Sequence, residues 1–460
     1  MADANQTAAG PRCNPQLLFV VSCVALVSTA FVFNLRGTIL ADLGSAFAMN
    51  METVGKATSS AFLAFAIAIF IGSPLCDVFG MRALLRTAAL LQLIGVLAVI
   101  FTPQLTSVAS PFALLWGGMF VAGMGNGLVE AVINPLAATL YPNDKTHRLN
   151  VLHAWWPGGL IMGGLIGFVM SQVLHAPWQI TFGISLAPVI VYTIMLFGCD
   201  FPATERVAAG VSNTEMWRQV LQPLFIIWFL CMFLTAATEL GPGQWVDAIL
   251  TKMVGMRGIL LFVYVSGLMF VLRHFAGPLA HKFSPVGLMW ISSLLAGLGL
   301  LAMSAAHNPI VALLAATVWG AGVCYMWPTM LGVASERFPK GGALLMGLMG
   351  TAGQLSIFFV VPLMGKVYDA YTTKALPAGM ALQDAIKQAS SKVPGAQDLL
   401  DKARTGAAPY AFRYVAALAI VLLIAFGIIW LRDRAKGGYQ AVKLTAAPTE
   451  AEAPTEPGQE

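Results

Sequence analysis

The chain has 460 residues, 58% of them hydrophobic and only 10% charged, with a mean hydropathy of +0.77. A soluble domain carries roughly 25% charged residues, so a water-soluble globular protein is excluded. The formal net charge of +5 is spread over short loops without a basic stripe, which excludes a nucleic-acid-binding surface.

Residues 1–15 form a polar N-terminal tail. The block that follows, "LLFVVSCVALVSTAFVF", lacks a small-x-small cleavage site and reads as a first transmembrane helix, not a signal peptide. Apolar blocks fall near 16–40, 54–76, 84–101, 111–140, 150–174 and 179–198, and then near 223–248, 258–276, 286–305, 309–334, 341–367 and 409–431. Each approaches the roughly 20 residues a helix needs to cross a bilayer. Continuous runs of this kind fit helices, whereas a β-barrel alternates in short segments. The expectation is an all-α membrane protein of twelve transmembrane helices. Six-helix bundles at 16–198 and 223–431 are divided by a polar linker at 199–222.

The 368–408 segment contains "ALQDAIKQASSKVPGAQDLLDKAR" and is expected to form one or two short amphipathic helices at the membrane surface. The tail at 432–460 ends in "APTEAEAPTEPGQE", acidic and Pro-rich, and is expected to be disordered. Cys13, Cys23, Cys76, Cys199, Cys231 and Cys324 lack CxxC spacing and read as free thiols, not as a disulfide framework or zinc site. No metal or other cofactor is expected.

Topology follows from the loops. Arg82, Arg86, Lys145, Arg148, Lys282, Arg337, Lys340, Arg432, Arg434 and Lys436 fall on one side. The opposite loops near 102–110, 175–178 and 306–308 carry no Lys or Arg. This asymmetry places both termini in the cytoplasm of a multi-pass protein of the cell (inner) membrane. Lys252 and Arg257 run weakly against it.

The loop after the second block reads "GSPLCDVFGMRALLR" and the one after the eighth reads "GPLAHKFS". Aligning Asp77 with His281 sets Gly80 opposite Ser284 and Ser73 opposite Gly277. Small residues allow close helix approach, Asp77 can meet a helix N-terminus or a basic partner, and Gly80 makes the turn. The pair resembles the repeated signature loop of the major facilitator superfamily, Gly-x-x-x-Asp-Arg/Lys-x-Gly-x-Arg/Lys. Val78 replaces the usual basic residue, and the second copy has lost its Asp. The resemblance implies two pseudo-symmetric six-helix bundles with substrate held between them near the bilayer midplane. It also implies a gating role for Asp77, Gly80 and Arg82.

The fourth and fifth blocks, "GNGLVEAVINPLAATLYPNDKTHRLNVLHAWWPGGLIMGGLIGF", resemble the sugar-transporting branch that includes the bacterial fucose:proton symporter. That branch carries Glu-x-x-x-Asn-Pro in the fourth helix and Arg-Leu-Asn opening the fifth. Here these are Glu130, Asn134, Pro135, Arg148, Leu149 and Asn150. "TAATELGPGQWVDAIL" in the seventh block resembles the same branch. The likeness implies that Glu130 is a proton and sugar site. The branch also uses an Asp in its first helix, where "FNLRGTILADL" supplies Arg36 and Gly37.

Read from their own chemistry, these residues raise specific expectations. An ionised Glu130 inside the membrane costs roughly 2.5–3.5 kcal/mol, so it serves either as a proton-coupling group or as a structural partner. Asn134 lies one turn along the same face and can bond a substrate hydroxyl, while Pro135 frees a carbonyl and kinks the helix. Arg36 and Glu239, near the outer ends of the first helices of their halves, can pair across the cavity. Alternatively, Arg36 grips an anionic substrate, or both face water. "GPGQW" (241–245) is expected to interrupt the seventh helix, making Gln244 and Trp245 candidate substrate contacts. His153, Trp156, Tyr325, Trp327 and Gln354 are further cavity candidates, with headgroup contact as the alternative for His153 and packing for the others.

No Walker loop, HExxH or GxSxG constellation occurs, so neither ATP-driven transport nor hydrolytic chemistry is expected, and the chain reads as a transporter instead of an enzyme. The expected function is alternating-access transport of a sugar or sugar derivative by proton-coupled symport, carried out by a monomer in the lipid bilayer. The alternatives are export of a drug-like or lipid-like amphiphile and uptake of a small organic anion such as a sugar acid.

Overall fold

The computed structural model describes residues 14–49, 51–254 and 258–444, and the described elements are helices joined by turns. The first half comprises α1 (Pro15–Thr38), α2 (Met51–Phe79), α3 (Met81–Ile100), α4 (Pro111–Leu140), α5 (Lys145–Phe168, with a π turn to Val173) and α6 (Trp178–Met195). The second comprises α7 (Pro223–Val254), α8 (Gly258–Arg273, continued after a bend of 65° as Ala276–Phe283), α9 (Pro285–Ser304), α10 (Pro309–Arg337), α11 (Gly342–Ala375) and α12 (Ala396–Ala435). Among the described residues eleven helices are long and apolar enough to cross a membrane, and the bent α8 pair makes the twelfth. The chain is a multi-pass membrane protein.

Each half packs on itself, α2 and α3 against α4 and, correspondingly, α9 against α10 and α12. A Cβ added at Gly95 would stand 2.3 Å from the Ala122 backbone nitrogen, and one added at Gly299 would stand 2.3 Å from that of Trp319. The third and fourth helices of each half therefore touch backbone to backbone at equivalent places. The repeat also reaches the backbone angles: Gly80 has φ 79, ψ 148 and Ser284 has φ 63, ψ 156. Between the halves, α2 meets α11, and α5 meets α8 and the second part of α10.

The seventh helix departs from expectation. α7 runs unbroken through Gly241, Pro242 and Gly243. Pro242 has no N–H to offer the Thr238 carbonyl one turn back, but the Trp319 indole donates to that carbonyl at 3.2 Å. The lost bond is replaced from a neighbouring helix and the helix continues. The 368–408 segment is also more regular than expected. α11 runs to Ala375, a short helix covers Leu382–Ser390, and α12 begins at Ala396. Leu376, Ala385, Leu400 and Ala403 give this region a small apolar core of its own. Cys23, Cys76, Cys231 and Cys324 are free and buried, whereas Cys199 is disulfide-bonded, contrary to the free-thiol reading.

Candidate functional site

α4 carries Glu130 and Asn134 one turn apart on one buried face, each 6% exposed. Asn134 Nδ2 donates to the Glu130 carbonyl and to Glu130 Oε2, both at 2.9 Å. Asn134 Oδ1 lies 2.8 Å from Nε2 of His153, on α5. With the amide in this orientation, the ring nitrogen is the donor. Pro135 frees the Ala131 carbonyl, and the Cys76 thiol takes it at 3.4 Å. An adjacent network fixes the first half: Gln92 donates to Asn126 at 2.7 Å and to Ser28 at 3.1 Å, and Tyr192 donates to Gln92 at 2.7 Å.

From His153 the polar chain crosses into the second half. Arg273, on α8 and 2% exposed, donates through Nη1 to the His153 carbonyl at 2.7 Å. Its Nε donates to the Cys324 carbonyl at 2.6 Å and its Nη2 to Glu239 Oε1 at 3.1 Å. Tyr325 packs beside it and donates to the Leu272 carbonyl at 3.0 Å. Glu130, Asn134, His153, Arg273 and Glu239 thus form one buried polar chain across the junction of the halves.

This arrangement corrects the expected pairing of Arg36 with Glu239. Glu239 already has a cation, Arg273. Arg36 instead lies over the rings of Phe62, at 4.3 Å, and Phe33, at 5.1 Å. Aromatic faces offset part of the cost of burying a guanidinium, so a carboxylate is not required there. Trp156 meets Phe33 edge-on at 5.7 Å, which joins it to this aromatic cradle. Trp327 is buried against Gly353 on α11, beside the half-buried Gln354. The side chains of Gln244 and Trp245 lie outside the described residues.

Among the described residues, the remaining polar bonds from the first half to the second half or to the linker lie at the face that carries the linker. Asp77 accepts from Arg206 Nε and Nη2, both at 2.8 Å, and from Thr204 at 2.5 Å, with the two charged side chains 3% and 5% exposed. Lys145 pairs with Glu205 at 2.5 Å and donates to the Ser335 carbonyl at 3.3 Å. Glu336 Oε1 accepts from the Thr146 N–H at 3.1 Å and its hydroxyl at 2.7 Å. Asn150 donates to Thr329 at 3.1 Å. Arg82 makes a more exposed pair with Asp200 at 3.0 Å. The linker face is closed in this structure.

Arg273 and Arg206 were not among the sequence candidates. Arg273 sits inside the eighth apolar block, where the argument that marks Glu130 applies equally. Arg206 lies in the polar linker, where a charge carries no such signal, and only the fold reveals its partner.

A family model described as Major Facilitator Superfamily matches residues 17–361. Over 134 residues the chain is 25% identical to the pig (Sus scrofa) protein "Solute carrier family 2, facilitated glucose transporter member 2", a stretch that covers 29% of this chain and 25% of that one. The match therefore spans about a quarter of the relative. A crystal structure of the E. coli fucose:proton symporter FucP superposes with a TM-score of 0.69 at 18% identity, covering 89% of this chain and 98% of that one. The proton:xylose symporter XylE, bound to 6-bromo-6-deoxy-D-glucose, superposes with a TM-score of 0.68 at 13% identity, covering 89% and 94%. At these identities the structural likeness shows the fold.

Proposed function

Because the chain belongs to the major facilitator superfamily, we propose that it moves a sugar or sugar derivative across the cytoplasmic membrane by alternating access, driven by proton symport through Glu130. The observation that carries this reading is the buried chain Glu130–Asn134–His153, whose first member is a carboxyl group inside a membrane-spanning helix with an amide as its hydrogen-bond partner. Such a group can take up and release a proton without breaking an ion pair. Its amide neighbour and the aromatic faces of Trp156 and Phe33 suit the hydroxyls and the apolar ring face of a sugar. FucP is a fucose:proton symporter and XylE a proton:xylose symporter, which supports the same class.

On this reading the linker face is cytoplasmic, in keeping with the Lys and Arg distribution, and it is shut in this structure. Lys145–Ser335, Thr146–Glu336 and Asn150–Thr329 join the halves on the cytoplasmic side and must part for the inward-facing state, while Asp77–Arg206 and Lys145–Glu205 tie the first half to the linker. Arg36, with no carboxylate partner among the described residues, favours one second reading. There the guanidinium receives a carboxylate and the substrate is a sugar acid.

The test is uptake into proteoliposomes across a panel of neutral sugars and sugar acids, with and without an inward proton gradient, for wild type and Glu130→Gln. Under the symport reading a neutral sugar accumulates only with the gradient, and the variant exchanges it without concentrating it. A variant that concentrates substrate as well as wild type makes Glu130 structural and overturns the coupling assignment. Accumulation of sugar acids alone, abolished by Arg36→Gln, selects the second reading.

A further inference from the structure

Arg273 occupies a place that two prolines prepare. Pro157 lacks the N–H that would take the carbonyl of His153, one turn before it on α5, and Pro328 does the same for Cys324 on α10. Arg273 takes both freed carbonyls and uses its remaining nitrogen on Glu239. Cys324 and Glu239 belong to its own half of the molecule, and only His153 belongs to the other. Glu239 Oε2 is buried and has no hydrogen-bond partner among the described residues. The cluster therefore holds one acceptor more than it uses, on the very carboxylate that Arg273 already grips.

We propose that Arg273 is a bond-exchange lock between the two halves: its Nη1 holds the His153 carbonyl while the linker face is closed, and passes to Glu239 Oε2 when that face opens. Rocking the halves apart has to break the Arg273–His153 bond, and a buried charged donor left without an acceptor opposes the motion. A second acceptor within the same cluster removes that opposition. The guanidinium fork matches a carboxylate bidentately, so exchange leaves both groups satisfied. His153 also faces Asn134 and, through it, Glu130, so the lock bears on the same chain that carries the proposed coupling carboxyl. The inference rests on the alternating-access part of the proposed function and requires no particular substrate or coupling ion.

The proposal gives the two members of one ion pair opposite effects. Glu239→Gln puts an amide NH2 where Oε2 was, a donor that offers Nη1 nothing to accept it, so Nη1 stays on His153 and the linker face stays shut. Arg273→Met removes the bond that holds the face closed. Spin labels on genetically encoded ketone side chains at Val78 and Lys282, exposed at the linker face on opposite halves, leave the native cysteines intact. Pulsed dipolar distances in lipid nanodiscs then report the open and closed populations.

The expected result is a long-distance population at least threefold smaller in Glu239→Gln and at least threefold larger in Arg273→Met, with Glu239→Gln/Arg273→Met behaving like the latter. Arg273→Lys keeps the charge without the fork, guards against misfolding of the methionine variant, and should shift the same way by a smaller factor. Two populations in wild type with same-sign shifts, or no shifts, in the variants overturn the exchange and leave the pair a brace within the second half. A wild type that shows one distance in every lipid and sugar condition overturns alternating access itself, and the lock with it.

Discussion

Asn134 donates to Glu130 Oε2 at 2.9 Å while its own Oδ1 meets His153 Nε2 at 2.8 Å, so a single amide serves a carboxyl group on one side and an imidazole on the other. Replacing it by leucine keeps much of the volume and orphans both neighbours. Each buried polar group left unpaired costs about 1–3 kcal/mol. Asn134→Leu should therefore melt measurably below wild type and, if the proposed symport holds, lose at least tenfold in proton-driven sugar uptake. Wild-type melting together with wild-type uptake would show that the amide is a bystander.

Among the described residues, Asp77 and Arg206 form the most enclosed ion pair of the linker face. Removing one member of such a pair costs about 3–5 kcal/mol, because the other charge stays buried without a partner. Asp77→Asn and Arg206→Met should each weaken closure of this face and raise the reactivity of thiols introduced along α5 near Asn150 toward a water-soluble maleimide. The exposed Arg82–Asp200 pair should matter far less, since exposed pairs contribute about 0–1 kcal/mol. Equal effects at the two pairs would argue against a special role for Asp77.

The fold was legible because hydropathy blocks of membrane-spanning length carry their own signal, and because the Asp77 and His281 loops repeat at matching places. Glu130, Asn134 and His153 were legible for a related reason: polar groups in apolar helices are conspicuous, and helical spacing puts the first two on one face. What sequence could not supply was partner choice. Arg36 and Glu239 look complementary by position in the repeat, yet Glu239 is taken by Arg273 and Arg36 by aromatic rings. Pro242 reads as a helix breaker until Trp319, far along the chain, is seen to take the freed carbonyl. Such bonds depend on three-dimensional neighbours that spacing does not encode.

Gly80 and Ser284 share a left-handed backbone conformation at equivalent turns. For a residue with a Cβ, this region costs about 1–3 kcal/mol. Ser284 recovers part of that by capping the Gly287 N–H at 3.2 Å, but exchanging such a cap for glycine costs only a few tenths of a kcal/mol. Relief of strain outweighs loss of the cap. Ser284→Gly should stabilise the protein by about 1 kcal/mol and Gly80→Ser should destabilise it by at least as much. Thermal unfolding in one detergent checks both, and a destabilised Ser284→Gly would mean that the serine cap outweighs the backbone strain.

Beyond α12 the chain, expected to be disordered from 432 onward, instead folds back as a strap over the linker face as far as residue 444. The Val442 N–H donates to the Glu336 carbonyl at 2.8 Å, Tyr439 donates to Glu336 Oε2 at 2.5 Å, and Lys443 reaches Asn143 of the first half at 2.8 Å. Burial, reinforced by the Glu336 carboxylate, pushes the Tyr439 phenol well above the ordinary tyrosine range. The neutral phenol is therefore the form that the docked strap favours. Its contribution should be complete below the unfolded tyrosine pKa of about 10 and should fade as the pH rises through the higher docked value, because the released tyrosine ionises more readily. A hydrogen bond to a charged acceptor contributes about 1.5–3 kcal/mol, enough to change the docked fraction of so short a segment. A spin label at the exposed Gln440 should be immobile in wild type near neutral pH and become mobile only above about pH 10. In Tyr439→Phe it should already be mobile near neutrality, with little further change on the alkaline side. If the two proteins give the same mobility throughout, the strap is held by Val442 and Lys443 alone, and the tyrosine contributes only packing against Arg337, whose guanidinium lies 4.8 Å from its ring.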